Sequence, residues 1–174
     1  PNAGNTNAYP HVRVVNPGGL VLLQPDDVMN LDFSFAKGTS GTANVQTCTV
    51  VLIFSGAIGE ININTEVTDN LSGSNNIWPG EYTASKSIGE IIQEVASDKY
   101  DAIFGVDGNS YLVAIKFVMN LGADTADTTT LTINSMTFTR EVPSSSSSSS
   151  ESTSSVPSEP TGEVKWDLIT AATT

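Results

Sequence analysis

The chain reads as an all-β protein, an antiparallel β-sandwich or jelly roll carrying one short helix. Three observations predict this. Apolar and polar residues alternate over stretch after stretch, the period of half-buried strands. Clusters of Gly, Pro, Asn and Asp separate those stretches at short intervals. One phrase alone changes to helical spacing.

The elements follow in chain order. His11 to Val15 and Leu20 to Gln24 are short strand candidates around the turn Asn16-Pro17-Gly18-Gly19. Val28 to Ala36 alternates cleanly, with Met29, Leu31, Phe33 and Phe35 on one face and Asn30, Asp32 and Ser34 on the other. Val45 to Phe54 places Cys48, Val50, Leu52 and Phe54 together, and Gln46, Thr47 and Thr49 leave its first half open to water. Glu60 to Glu66, Tyr82 to Lys86 and Tyr100 to Phe104 are further short strands. Ser87-Ile88-Gly89-Glu90 matches a capping box, and Ile88, Ile91, Ile92 and Val95 then fall at helical spacing. A helix from Ile88 to about Ser97 is expected to lie across an end of the sandwich, although Gly89 is a poor helix former.

Tyr111 to Met119 presents Val113, Ile115, Phe117 and Met119 to the core, with Ala114, Lys116 and Asn120 opposite. In Thr130 to Thr139 the apolar phase slips by one. Leu131 and Ile133 lie on odd positions and Met136 and Phe138 on even ones, so a bulge at Asn134-Ser135 would turn all four inward. Turns are read at Lys37 to Gly41, Asp69 to Asn76, Pro79-Gly80, Asp107-Gly108-Asn109 and Gly122 to Asp127.

The tract Pro143 to Gly162 includes seven consecutive serines, Ser144 to Ser150, and almost nothing apolar. It cannot bury enough surface to offset the entropy of ordering it and reads as a linker. The expected organisation is a polar linker over 1–9, a β-sandwich module over 10–141 and a Ser/Pro-rich linker over 142–162. Residues 163–174 are either the start of a next module or a tail strand that docks back. The chain thus reads as one module of a longer modular protein.

Nineteen acidic residues against seven basic ones give a net charge of −12, while only 15% of residues are charged. Such a surface offers no cationic patch for nucleic acid, anionic lipid or polyanions, and leaves neutral ligands and metal ions open. No apolar run approaches the ~18 residues a membrane span needs. The single cysteine, Cys48, excludes an intrachain disulfide and sits in an apolar run as a small core residue. His11 is the only histidine, so a transition-metal site lacks ligands. No Gly-x-Ser-x-Gly elbow, phosphate-binding glycine loop or nucleotide fingerprint is present, and the acids lie in turns, on the helix or in the tails. The chain is expected not to be an enzyme and to need no cofactor, although Asp26-Asp27 or Asp124 and Asp127 could supply oxygen ligands to a structural calcium.

Trp78 stands out because it lies in a polar loop, Ser74-Asn75-Asn76-Ile77-Trp78-Pro79-Gly80. A flat ring at a polar rim can stack on the C–H face of a sugar while Asn, Gln and Thr bond its hydroxyls. The alternative is that Trp78 tucks under its own loop and closes the sandwich end. Tyr82, Tyr111, Lys116, Asn120 and Asn75 complete the candidate carbohydrate-binding set. The tyrosines could equally be rim residues of the core, and Lys116 part of a plain solvated face.

Phe117-Val118-Met119-Asn120-Leu121-Gly122-Ala123, followed by Leu131-Thr132-Ile133-Asn134-Ser135-Met136-Thr137-Phe138, resembles the closing strands of jelly-roll carbohydrate-binding modules. The serine tract is similar to the linkers of bacterial plant-cell-wall hydrolases. Where that pattern often has Asp, this chain has Asn134. The resemblance implies a secreted, monomeric, non-catalytic module that targets a covalently linked enzyme to a neutral polysaccharide, foremost a β-glucan such as cellulose, xyloglucan or mixed-linkage glucan. The rival expectation is a cohesin-like or adhesin-type protein-interaction module with an exposed apolar face around Val51 and Ile53.

Overall fold

In the computed structural model, residues 10–37, 46–105, 110–120, 129–140 and 164–165 are described. Strands β1 (His11–Val14), β3 (Thr47–Phe54), β4 (Gly59–Asn62) and β6 (Leu112–Asn120) form one antiparallel sheet in the order β1-β6-β3-β4. Strands β2 (Val28–Ala36), β5 (Gly80–Ser87), β7 (Thr130–Thr139) and β8 (Val164–Lys165) form the other, in the order β5-β2-β7-β8. The protein is an all-β sandwich of two antiparallel sheets with few short helices.

Alternation sets which side chains meet between the sheets. Met29, Leu31, Phe33 and Phe35 of β2 are at most 2% exposed, and Cys48, Val50, Leu52 and Phe54 of β3 face them with Ile115, Phe117 and Met119 of β6. Phe33 touches Phe117 edge-on across the sheets, with ring centroids 5.2 Å apart. The phase slip in β7 is resolved by a register shift: Asp32 pairs with Ser135 and Phe33 with Ile133, so Asn134 is the extra residue. Met136 and Phe138 are buried, and Leu131 and Ile133 pack against the core from partly buried positions. A bulge at Asn134 thus reconciles both halves of the strand with one core.

Helix α2 (Ile88–Val95) begins where the capping box predicts: the Ser87 hydroxyl accepts from the Glu90 N–H at 3.3 Å and donates to its carboxylate at 2.8 Å. The free N–H groups of its first turn also find carbonyls, Ile88 N–H donating to Asp27 O and Gly89 N–H to Pro25 O, both at 2.8 Å. The Pro25–Asp27 turn is itself clamped. Asp27 is 3% exposed, and its carboxylate accepts from Arg140 Nε at 2.6 Å and Nη2 at 2.9 Å, and from the Gln24 N–H at 2.7 Å. These bonds occupy the Asp27 carboxylate that the sequence offered to calcium.

Three short strand expectations give way to other structure. Tyr100–Phe104 is helix α3, not a strand: Tyr100, Ile103 and Phe104 are also spaced one turn apart, and Tyr100 and Phe104 meet edge-on at 5.0 Å. Glu60 to Glu66 is a strand only to Asn62, after which Asn64–Val67 forms the single turn α1. Leu20 to Gln24 contributes only a bridge from Val21 to Leu112. A 3₁₀ turn, Ser97–Lys99, links α2 to α3. The turns read at Gly122 to Asp127 and Asp107 to Asn109, the Asp124 and Asp127 candidates, and the serine tract lie outside the described residues. Val164–Lys165 pairs antiparallel with Thr137 and Phe138 of β7.

Gly89 has a structural reason that its helix propensity hides. A Cβ there would sit 2.7 Å from Pro25 O and 2.9 Å from Pro25 Cβ. Alanine is ordinarily the better helix former by about 1 kcal/mol. Gly89→Ala is nonetheless expected to destabilise the domain by ~1–3 kcal/mol, because backbone and proline must move apart. A urea unfolding midpoint equal to or above that of the wild type would contradict this account of the helix docking.

Candidate functional site

The loop that holds Trp78 is built as an extension of the first sheet. Ile77 is fully buried and forms antiparallel bridges to Cys48 on one side and Leu71 on the other. Ile77 and Cys48 exchange both backbone hydrogen bonds at 2.8 Å. The hairpin between Leu71 and Ile77 is closed by Asn75, whose φ of 56° is the left-handed conformation that asparagine tolerates. Asn75 N–H donates to Ser72 O, and Ser72 N–H to Asn76 O.

A buried amide locks this hairpin to the sheet. Asn64 is 1% exposed; its Oδ1 accepts from the Val50 N–H at 2.8 Å and its Nδ2 donates to Asn75 O at 2.7 Å. Asn75 therefore contributes its backbone to the architecture while its side chain is exposed.

Continuing the Cys48–Ile77 register places Asn76 opposite Thr49 and Trp78 opposite Thr47. The first pairing is seen directly, since the Thr49 hydroxyl donates to Asn76 Oδ1 at 3.0 Å. Thr47 and Thr49 point away from the core because Cys48 and Val50 point into it. Thr47 pairs with Asn120 and Thr49 with Val118 on β6. Trp78 is half-buried and lies outside the core cluster. Trp78, Asn76, Thr49 and Asn120 thus share one end of the outer face of the β1-β6-β3-β4 sheet.

Lys116 lies further along that face. Its Nζ donates to both oxygens of Glu60, at 2.5 Å each, and its side chain is only 15% exposed. Glu60 is on β4 and Lys116 on β6, with β3 between them. The Lys116 and Glu60 side chains together bridge β3, a span of roughly 10 Å, and so lie over the outward-facing Val51 and Ile53. Those residues are 6% and 7% exposed, so the apolar patch expected around them is covered. The ion pair itself is worth little in water; its aliphatic stem is the larger contribution.

The remaining predicted residues take different places. Tyr82 is 7% exposed and its ring lies 5.4 Å from Phe33 in the core. Its hydroxyl donates to Trp78 O at 2.5 Å and accepts from Asn70 Nδ2 at 3.1 Å. Tyr82 therefore supports the Trp78 loop from beneath. Tyr111 exchanges hydrogen bonds with Ser55 beyond the far end of β3, the Ser55 N–H meeting its carbonyl and the Tyr111 N–H meeting the Ser55 hydroxyl, both at 2.9 Å. Eight residues of strand separate Ser55 from Thr47, roughly 25 Å, so Tyr111 and Trp78 cannot grip one sugar.

Thr49 and Asn76 are face residues that the candidate set lacks, whereas Gln46 and Thr47, expected to stand open to water, are covered at 1% and 2% exposed. The signal was the sequence Asn76-Ile77-Trp78, a polar-apolar-aromatic alternation inside a segment that reads as a loop. Among the described residues no group of three or more His, Cys, Asp or Glu side chains is placed to hold a metal ion, and no helix is long and apolar enough to cross a membrane.

Cys48 lies directly behind this face, fully buried, and burial pushes its thiol up to about 12 from an ordinary value of 9.0. It is expected to resist iodoacetamide in the folded protein at pH 8 and to react fully once urea unfolds the chain. Rapid alkylation of the native protein, followed by mass spectrometry, would contradict the packing of β3 against the core. Comparison with protein-family models, with curated proteins and with solved structures returned no match.

Proposed function

We propose that this domain is a non-catalytic carbohydrate-binding module. It holds a covalently linked enzyme on a neutral plant-cell-wall polysaccharide outside the cell, foremost a β-glucan such as cellulose, xyloglucan or mixed-linkage glucan. The observation that carries the reading is the rigid presentation of Trp78 at the end of a sheet face, beside Asn76, Thr49 and Asn120. An indole supplies the apolar platform for the C–H face of a sugar ring, and amide and hydroxyl groups alongside it satisfy the ring's hydroxyls. The net charge of −12 favours an uncharged chain over pectate-like polyanions. Tethering then raises the local concentration of substrate for the attached enzyme without new chemistry.

A second reading, a protein-interaction module of a surface assembly, draws on one observation. Val15, Leu20 and Leu22 are 47%, 58% and 46% exposed and lie within one short stretch that precedes β2. Exposed apolar groups gathered in one place favour a protein partner.

Affinity electrophoresis against soluble glucans, xylans and mannans separates the two. The polysaccharide reading expects retardation on at least one neutral glucan and a weakening of at least tenfold in Trp78→Ala, equivalent to about 1.4 kcal/mol. Circular dichroism should show the variant folded, because Trp78 is not part of the core. Unretarded migration on every neutral polysaccharide, or full binding by Trp78→Ala, would sink the reading.

A further inference from the structure

The opposite face of the sandwich carries a feature that the Trp78 site does not use. A shallow groove of about 240 Å³ runs over the outer face of β2 and its neighbours, lined by Asn30, Asp32, Thr83, Ser85 and Ser135, with Leu31 and Ala84 as its floor. Register brings these groups together. Asp32 pairs with Thr83 on β5 and with Ser135 on β7, and Asn30 pairs with Ser85 on the next outward rung.

The polar groups are already oriented by one another. Ser85 Oγ donates to Asn30 Oδ1 at 2.7 Å, while Asn30 Nδ2 reaches Thr139 Oγ1 at 3.3 Å. Asn134, the bulged residue of β7, donates from Nδ2 to Asp32 Oδ1 at 2.8 Å. The bulge therefore does more than correct the apolar phase: it sets an amide against the one carboxylate of the groove. Bulges commonly re-aim a side chain in this way next to a site.

We propose that this groove is a second binding site, for a single neutral polyhydroxylated ring such as one hexose or pentose unit. Its donor and acceptor set fits that class. A carboxylate keeps acceptor capacity beyond the Asn134 bond and can take two adjacent sugar hydroxyls, while the Thr83 and Ser135 hydroxyls both donate and accept. Among the described side chains no cation lines the groove, and Glu81 stands on the same face opposite Ser34, which disfavours an anionic ligand. The volume is below the roughly 300–1,000 Å³ of sites for drug-sized ligands, which matches one ring or a side branch and not a long chain segment. Site and Trp78 lie on opposite sheets, so one module could touch two polysaccharide chains. The assignment of a sugar as the ligand rests on the polysaccharide reading; the groove's position does not.

The test is an amide ¹H–¹⁵N titration of the wild type, Trp78→Ala, Asp32→Ala and Thr83→Val with glucose, xylose, mannose and galactose, and with cello-oligosaccharides. The expected result is movement of the Thr83, Ser85 and Ser135 signals in the wild type and in Trp78→Ala. Asp32→Ala should weaken that response at least tenfold and Thr83→Val severalfold. Thr83 is exposed on a surface rung, so its variant keeps the fold if Asp32→Ala does not. Groove signals that stay still with every sugar, that move only when Trp78 is present, or that move equally in both groove variants would overturn the proposal. Movement at the groove with none at Thr49 and Asn76 would remove the Trp78 reading and leave this one standing.

Discussion

Phe33 is the contact on which the rest of the sandwich is indexed. It is fully buried on the central strand β2, meets Phe117 of the opposite sheet at 5.2 Å and Tyr82 of its own sheet at 5.4 Å. Offset and edge-on aromatic pairs of this kind add about 0.5–1.5 kcal/mol each beyond the area they bury. More important here is where they lead. Tyr82 turns its hydroxyl to the Trp78 carbonyl and to Asn70, so the loop with the candidate platform is tied to the packing of the two sheets. Gly80 makes that approach available, since a Cβ at this position would come within 2.9 Å of the Tyr82 oxygen.

The same dependence of surface on core recurs elsewhere. Asn64 carries a single amide from the β3 backbone to the hairpin at Asn75, and burying it without both bonds would leave polar groups unsatisfied at a cost of ~1–3 kcal/mol. Asp27 joins the end of β7, through Arg140, to the turn that receives the first N–H groups of α2. Both polar residues hold irregular segments that no apolar pattern could fix. Irregular backbone must find partners for its own N–H and C=O groups, and these side chains help to place it.

Much of the strand plan was readable from alternation alone. β2, the latter part of β3 and β6 from Ile115 onward bury the residues that their period-2 pattern nominates, and the slip at Asn134 to Ser135 is a bulge. Val113, also expected inside, is only partly buried and Leu112 takes the core place, because the β3–β6 register shifts between Ile53 and Phe54. The helix boundary was readable at its start because capping chemistry is local: Ser87 and Glu90 are three residues apart. Tyr100–Phe104 was not readable as a helix, because five residues with apolar groups at both ends fit either period. Of the candidate site, Trp78, Lys116 and Asn120 do lie on one sheet. Tyr82 turned inward and Tyr111 sits at the far end, since strand-end tyrosines have no periodic signal for which way they face.

The sequence by itself determined an all-β class, the inward faces of the long strands, the capped helix and a surface poor in cations. These follow from short-range rules of periodicity, turn chemistry and charge that hold whatever the strands later pair with. Only the tertiary structure decided that Asn76-Ile77-Trp78 extends a sheet, that Lys116 and Glu60 meet over β3, and that Asp32, Thr83, Ser85 and Asn134 gather around one groove. Each of these depends on which strand lies beside which and in what register, and a one-residue shift in that pairing would have sent every side chain involved to the other face.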